Sequence, residues 1–112
     1  MNRTWDDIET HYLHLTEIGW KHDRFIELIK HIKRSGLTKR LFATTSLDKL
    51  VISIYKEIDF HREALHISFD RDKLLWHFDY YAVPNKPPEF TRTYTAEKGI
   101  EKLDNFIKMV RW

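Results

Sequence analysis

From Leu65 to Tyr80 large apolar residues recur at every second position on either side of one short polar stretch. That alternation constrains the fold more than any other feature of the chain. Leu65, Ile67 and Phe69 alternate with Ala64, His66 and Ser68. Past Asp70-Arg71-Asp72-Lys73, the residues Leu74, Trp76, Phe78 and Tyr80 resume the pattern, with His77 and Asp79 between them. A period of two means a strand with one buried face, and two such strands around a short turn make an antiparallel hairpin. Pairing Phe69 with Leu74 sets Ile67 against Trp76 and Leu65 against Phe78, all apolar and on one face. The same register places His66 directly across from His77 on the other face, with Asp79 two residues further along.

The remaining segments extend this hairpin into a layered domain. Leu41 to Thr45 and Leu50 to Tyr55 read as strands joined by the turn Ser46-Leu47-Asp48-Lys49. Lys56 to Glu63 is either a connection or more ladder. Ala82 to Glu89 holds all three prolines, which cannot donate to a central ladder, so it is a loop before a last strand at Phe90 to Tyr94. Upstream the period is 3.6. Thr4 and Asp7 nearly match a capping box, and Trp5, Ile8, Tyr12 and Leu15 line one face of a helix that Gly19 ends or bends. Asp23 caps a second helix with an apolar stripe of Phe25, Leu28, Ile29 and Ile32, and Gly36 stops it. Thr95 caps a closing helix through Ile100, Leu103, Phe106, Ile107 and Val110, in which Gly99 costs about 1 kcal/mol relative to alanine. The expectation is one α+β domain over residues 1–112. It has an N-terminal helical pair, an antiparallel meander of four to five strands and a C-terminal helix, with the helices on one sheet face.

Composition narrows the chemistry. The absence of cysteine excludes a disulfide scaffold, a thiol nucleophile and Cys-ligated metal. No apolar stretch follows the polar start, and the longest apolar run, around Leu50 to Tyr55, is far short of the roughly 20 residues of a membrane span. A soluble cytoplasmic protein is expected. No Gly-rich phosphate loop and no G-x-S-x-G surround is present, so no enzyme and no cofactor are expected.

Two charged blocks and one histidine pair are the candidate sites. Asp6, Asp7, Glu9 and Glu17 make the first eighteen residues acidic, whereas Lys21 to Arg40 is basic. Lys30, Lys33, Arg34, Lys39 and Arg40 form a possible basic patch, able to dock phosphates or an acidic protein, although a solvated helix face carries the same residues. His66, His77 and Asp79 could share a metal or move protons from one sheet face. Polar residues on the wet side of a sheet are the ordinary reading, so neither a metal nor a catalytic residue is assigned. His11 and His14 lack the spacing of a helical zinc motif.

Sixteen aromatics exceed what one small core obviously needs. Trp76, Phe78 and Phe106 are assigned to the core, and Trp20, Tyr81, Phe90, Tyr94 and Trp112 are candidates for exposure. If Thr91 and Thr93 face the helices, then Phe90, Arg92 and Tyr94 line the open sheet face as partner-binding residues. In the other orientation Phe90 and Tyr94 are core and Arg92 reaches out past them.

The order of helices, the hairpin Ala43-Thr44-Thr45-Ser46-Leu47-Asp48-Lys49-Leu50-Val51-Ile52-Ser53, the strands through Trp76 and Tyr80, and a last helix ending in Trp112 resemble small bacterial immunity proteins. The resemblance implies a cytoplasmic, non-enzymatic protein that binds a cognate toxin domain and blocks it. It carries no binding residues across. Trp20, Tyr81, Phe90, Arg92, Tyr94, Asp6, Asp7 and Glu9 are therefore the sequence's own candidates for a protein partner. The alternative is a nucleic-acid binder using residues 21–40, and the third reading a small-molecule or metal-binding protein using the open sheet face.

Overall fold

The structure, a computed structural model, describes residues 4–19, 22–46, 49–56, 63–83 and 86–112. The chain folds as helices α1 (Trp5–Glu17) and α2 (Asp23–Arg34), strands β1 (Phe42–Ser46), β2 (Lys49–Ser53), β3 (Ala64–Asp70), β4 (Leu75–Tyr81) and β5 (Phe90–Thr95), and helix α3 (Gly99–Val110). The strands pair antiparallel in sequence order, β1-β2-β3-β4-β5. This is the α+β layout expected from the change of period. Among the described residues no helix is long and apolar enough to cross a membrane.

The capping box forms: the Asp7 amide donates to Thr4 Oγ1 at 3.1 Å and the Thr4 amide to the Asp7 carboxylate at 3.4 Å. Ile8 and Tyr12 of α1 are buried, with Trp5 and Leu15 packed beside them. In α2 the whole stripe of Phe25, Leu28, Ile29 and Ile32 is buried, and Tyr12 stacks on Phe25 with ring centroids 4.3 Å apart. Gly36, in the left-handed region at φ +79°, ends α2. Facing these helices, the sheet buries Leu50 and Ile52, Leu65, Ile67 and Phe69, and Trp76, Phe78 and Tyr80. Each fully buried side chain of this size contributes roughly 1.5–3 kcal/mol of hydrophobic stabilisation.

Several boundaries differ from the sequence expectation. Leu41 precedes β1 and offers its carbonyl to Trp5 Nε1 at 3.0 Å, which ties α1 to the start of the sheet. β2 ends at Ser53, leaving Ile54 exposed. His22, fully buried against Tyr12 and Phe25, occupies the N-cap position expected of Asp23, which is instead the first helical residue. Thr95 precedes a single 3-10 turn (Ala96–Lys98), and α3 starts only at Gly99. Trp76 imposes that break. Its Nε1 donates to the Ala96 carbonyl at 3.0 Å, and its indole fills the space where a Gly99 Cβ would stand.

The larger correction is the register of β3 with β4. Phe69 pairs with Trp76, Ile67 with Phe78 and Leu65 with Tyr80, two residues along β4 from the expected alignment. Leu74 is not a strand residue. It lies in the left-handed region at φ +56° and is exposed. Asp70 pairs with Leu75, and its carboxylate accepts from the amides of Asp72 and Lys73, both at 3.0 Å. The side chain of Asp70 thus organises a four-residue turn. The two-residue turn that a Phe69–Leu74 pairing implies needs positive φ at its first or at both central positions, and Arg71 disfavours it.

Candidate functional site

The sheet face turned away from the helices carries the histidines, and the register decides which groups meet there. His66 stands opposite Asp79, while His77 stands between Ser68 and Thr93. The expected His66–His77 pair is therefore not formed. The two imidazoles lie diagonally, with Asp79 between them across from His66. Among the described residues no three His, Asp or Glu side chains are grouped to hold a metal ion.

Each group has its own environment. The His66 ring packs against Tyr81 at 4.7 Å between centroids. Burial, aided by the charge of Lys49, lowers its pKa below the ordinary 6.5 despite the opposing pull of Asp79. The neutral imidazole is the favoured form. His77 Nδ1 lies 3.2 Å from Thr93 Oγ1. The face is unevenly covered: Val51, Ser53 and Ala64 are buried, His66, His77, Asp79 and Tyr81 are half-buried, and Thr91, Thr93 and Thr95 are exposed. It opens progressively towards β5.

Phe90, Arg92 and Tyr94 are on the other face, opposite Tyr80, Phe78 and Trp76. They do not line the open sheet face. Phe90 packs on Phe106 at 5.8 Å and Tyr94 on Phe78 at 5.2 Å between centroids. Arg92 reaches outward, with its guanidinium 5.2 Å from the Phe90 ring centre and one N–H donated to the Thr91 carbonyl at 2.9 Å. Trp112 is buried against Tyr80 and Phe106. The apparent aromatic surplus is thus largely absorbed by two clusters, one around Trp76 and one around Phe106. Of the aromatic candidates, Tyr81 alone is placed on the open face; Trp20 lies outside the described residues.

The charged blocks also meet one another. Lys33 of α2 reaches across to α1, donating to Asp6 and, at 3.3 Å, to Glu9, and these hydrogen bonds raise its pKa. Asp7 is occupied in the cap. Much of the acidic candidate surface therefore serves the α1–α2 contact. Lys30, Arg34, Lys39 and Arg40 remain exposed. Lys108 of α3 joins Arg40 at a shallow recess of about 160 Å³ lined also by Ser35, Leu37, Asp104 and Ile107.

Two contacts have no local sequence signal. His31 Nε2 meets both Asp104 oxygens at 3.0 and 3.1 Å, joining α2 to α3, and Tyr80 donates to Glu63 at 2.6 Å. Burial and that carboxylate push the Tyr80 phenol well above its usual range. Each pair is far apart in the chain, so only the fold brings it together. The chain matches no protein-family model, no curated protein and no solved structure.

Proposed function

We propose that this protein works by binding another protein, as a non-enzymatic inhibitor of a toxin domain in the manner of a bacterial immunity protein. The supporting observation is the sheet face left uncovered by the helices, where Tyr81, Asp79 and His77 stand beside the exposed Thr91 and Thr93. An inhibitor needs a rigid platform, a few large anchors and polar groups that set orientation. A five-stranded sheet backed by three helices supplies the platform. Tyr81 supplies an amphipathic anchor, and Asp79 and the two imidazoles supply hydrogen-bonding groups. The acidic residues of α1 contribute less than their number implies, because Lys33 already holds Asp6 and Glu9.

The test is co-purification with the product of the neighbouring gene, followed by titration. A one-to-one complex is expected, weakened at least about tenfold by Tyr81→Ala or Asp79→Lys, and protecting cells from that product. Failure to form it, or turnover of any substrate dependent on His77 or Asp79, refutes the reading. A nucleic-acid reading draws on the exposed Lys30, Arg34, Lys39 and Arg40, extended by Lys108. It requires tight RNA or DNA binding that survives physiological salt, since a few phosphate contacts alone are lost there.

A further inference from the structure

The two edges of the sheet are unlike. β1 is half-buried along most of its length, and the α1 indole of Trp5 holds the carbonyl that leads into it. β5 pairs with β4 on one side, and Thr91, Arg92, Thr93 and Thr95 are all exposed. Phe90 to Thr95 contains no Pro or Lys, which commonly blunt an edge, and Arg92 is its single charged residue. Its residues are β-branched, aromatic or Arg, so its own preference is extended.

The direction of the main chain follows from the ladder. The Tyr80 carbonyl accepts from the Glu89 amide at 2.7 Å, next to the Tyr80–Phe90 pair, so Phe90, Arg92 and Tyr94 turn their peptide groups towards β4. By the alternation of an antiparallel pair, Thr91, Thr93 and Thr95 turn theirs outward. The guanidinium of Arg92 on the Thr91 carbonyl agrees with this. We propose that β5 is a self-pairing edge, onto which β5 of a second copy of this chain docks antiparallel with Thr93 of both copies on the twofold axis.

The register follows from side-chain complementarity. Placing Arg92 on the axis would set two guanidinium groups directly opposite, which is destabilising. Placing Thr93 there sets Thr91 opposite Thr95 of the second copy, and Arg92 opposite Tyr94 of the second copy. The first gives hydroxyl pairs, and the second gives a cation facing an aromatic ring. Arg92 exchanges its present contacts with the Thr91 carbonyl and the Phe90 ring for that ring, freeing the outward carbonyl to join the ladder. The product is a continuous sheet through both copies, closed by the twofold axis so that it does not grow into a fibre.

This inference stands apart from the protein-binding reading and needs no other partner. Sedimentation equilibrium of the full chain should show a monomer–dimer transition below about 1 mM; a monomer throughout that range overturns the proposal. The chain has no cysteine, so Thr93→Cys introduces one unique thiol. Across the axis the two Cα atoms would be about 5.5 Å apart, within disulfide reach. Mild oxidation should link Thr93→Cys at least about tenfold faster than Thr91→Cys, whose thiol faces Thr95 of the second copy. Equal rates overturn the register. Thr93→Pro removes an outward amide that β4 does not use, and should weaken self-association at least about tenfold while the far-ultraviolet circular dichroism is retained. Should proline perturb folding, Thr93→Lys keeps the backbone donor and sets like charges opposite; a folded Thr93→Lys that still dimerises as the parent does overturns the proposal.

Discussion

Gly99→Ala should destabilise this protein, although helix propensity alone favours alanine, by at most about 1 kcal/mol at this first position of α3. Gly99 has an ordinary helical backbone, φ −55° and ψ −49°, so no conformational need requires glycine there. The requirement is spatial. A Cβ at this position would stand 2.5 Å from Trp76 Nε1 and 2.7 Å from Cε2, whereas an unstrained contact is about 3.5–4 Å. The indole has to retreat by about 1 Å. It is 1% exposed and flanked by Phe25 and Phe69 at 5.0 and 4.8 Å between ring centres, and its N–H is committed to the Ala96 carbonyl. Overpacking of this kind costs about 1–3 kcal/mol, and losing the hydrogen bond about 1 more. Set against the gain in propensity, the net loss is about 1–3 kcal/mol. For a domain of this size that lowers Tm by roughly 4–12 °C. Thermal and urea unfolding followed by circular dichroism measure it. Combining Gly99→Ala with Trp76→Phe should recover about 1 kcal/mol or more relative to the sum of the single variants, because the smaller ring removes the clash. A Gly99→Ala protein as stable as the parent, or more so, refutes the reasoning.

Leu74→Asn should stabilise by about 0.5–1 kcal/mol in urea titration, since an exposed leucine at φ +56° occupies a conformation that asparagine tolerates better. Thr4→Ala should cost about 1 kcal/mol through loss of the cap on α1, read from the same titration. The third prediction concerns pH. Burial holds the native His66 below 6.5, so between its native value and 6.5 the unfolded chain binds more protons than the folded one. Stability should therefore fall as pH drops through 6.5 towards the native value, and His66→Gln should flatten that segment of the profile. An unchanged slope in His66→Gln would show that another group carries it.

The helix stripes, the Thr4–Asp7 cap and the buried parity of β3 and β4 were legible in the sequence, because each is set by residues within one or two turns of one another. Leu65, Ile67 and Phe69 face the helices whichever residue of β4 they meet. That independence is also why the register was not legible. Sliding β4 by two residues leaves every side chain on its own face, so hydrophobic alternation does not distinguish the two alignments. The Asp70 turn made the choice, and with it came the separation of His66 from His77 and the pairing of His66 with Asp79. The composition of Phe90 to Tyr94 likewise allowed either orientation, because threonine is at home on both sides of a sheet. Pairing with Trp76, Phe78 and Tyr80 resolved it.

The charge pattern divides in the same way. The acidic start and the basic stretch that follows are plain in the sequence, but whether they face solvent or each other is a question of how two helices pack. The tertiary structure joins Lys33 to Asp6 and Glu9 and joins His31 to Asp104, 73 residues away. It also makes Gly99 a packing necessity through Trp76, which a propensity scale reads as a defect. Local periodicity determined which elements form and which faces they bury. Register, charge pairing and close approach depend on groups distant in the chain, whose contact energies exist only once the layers have docked.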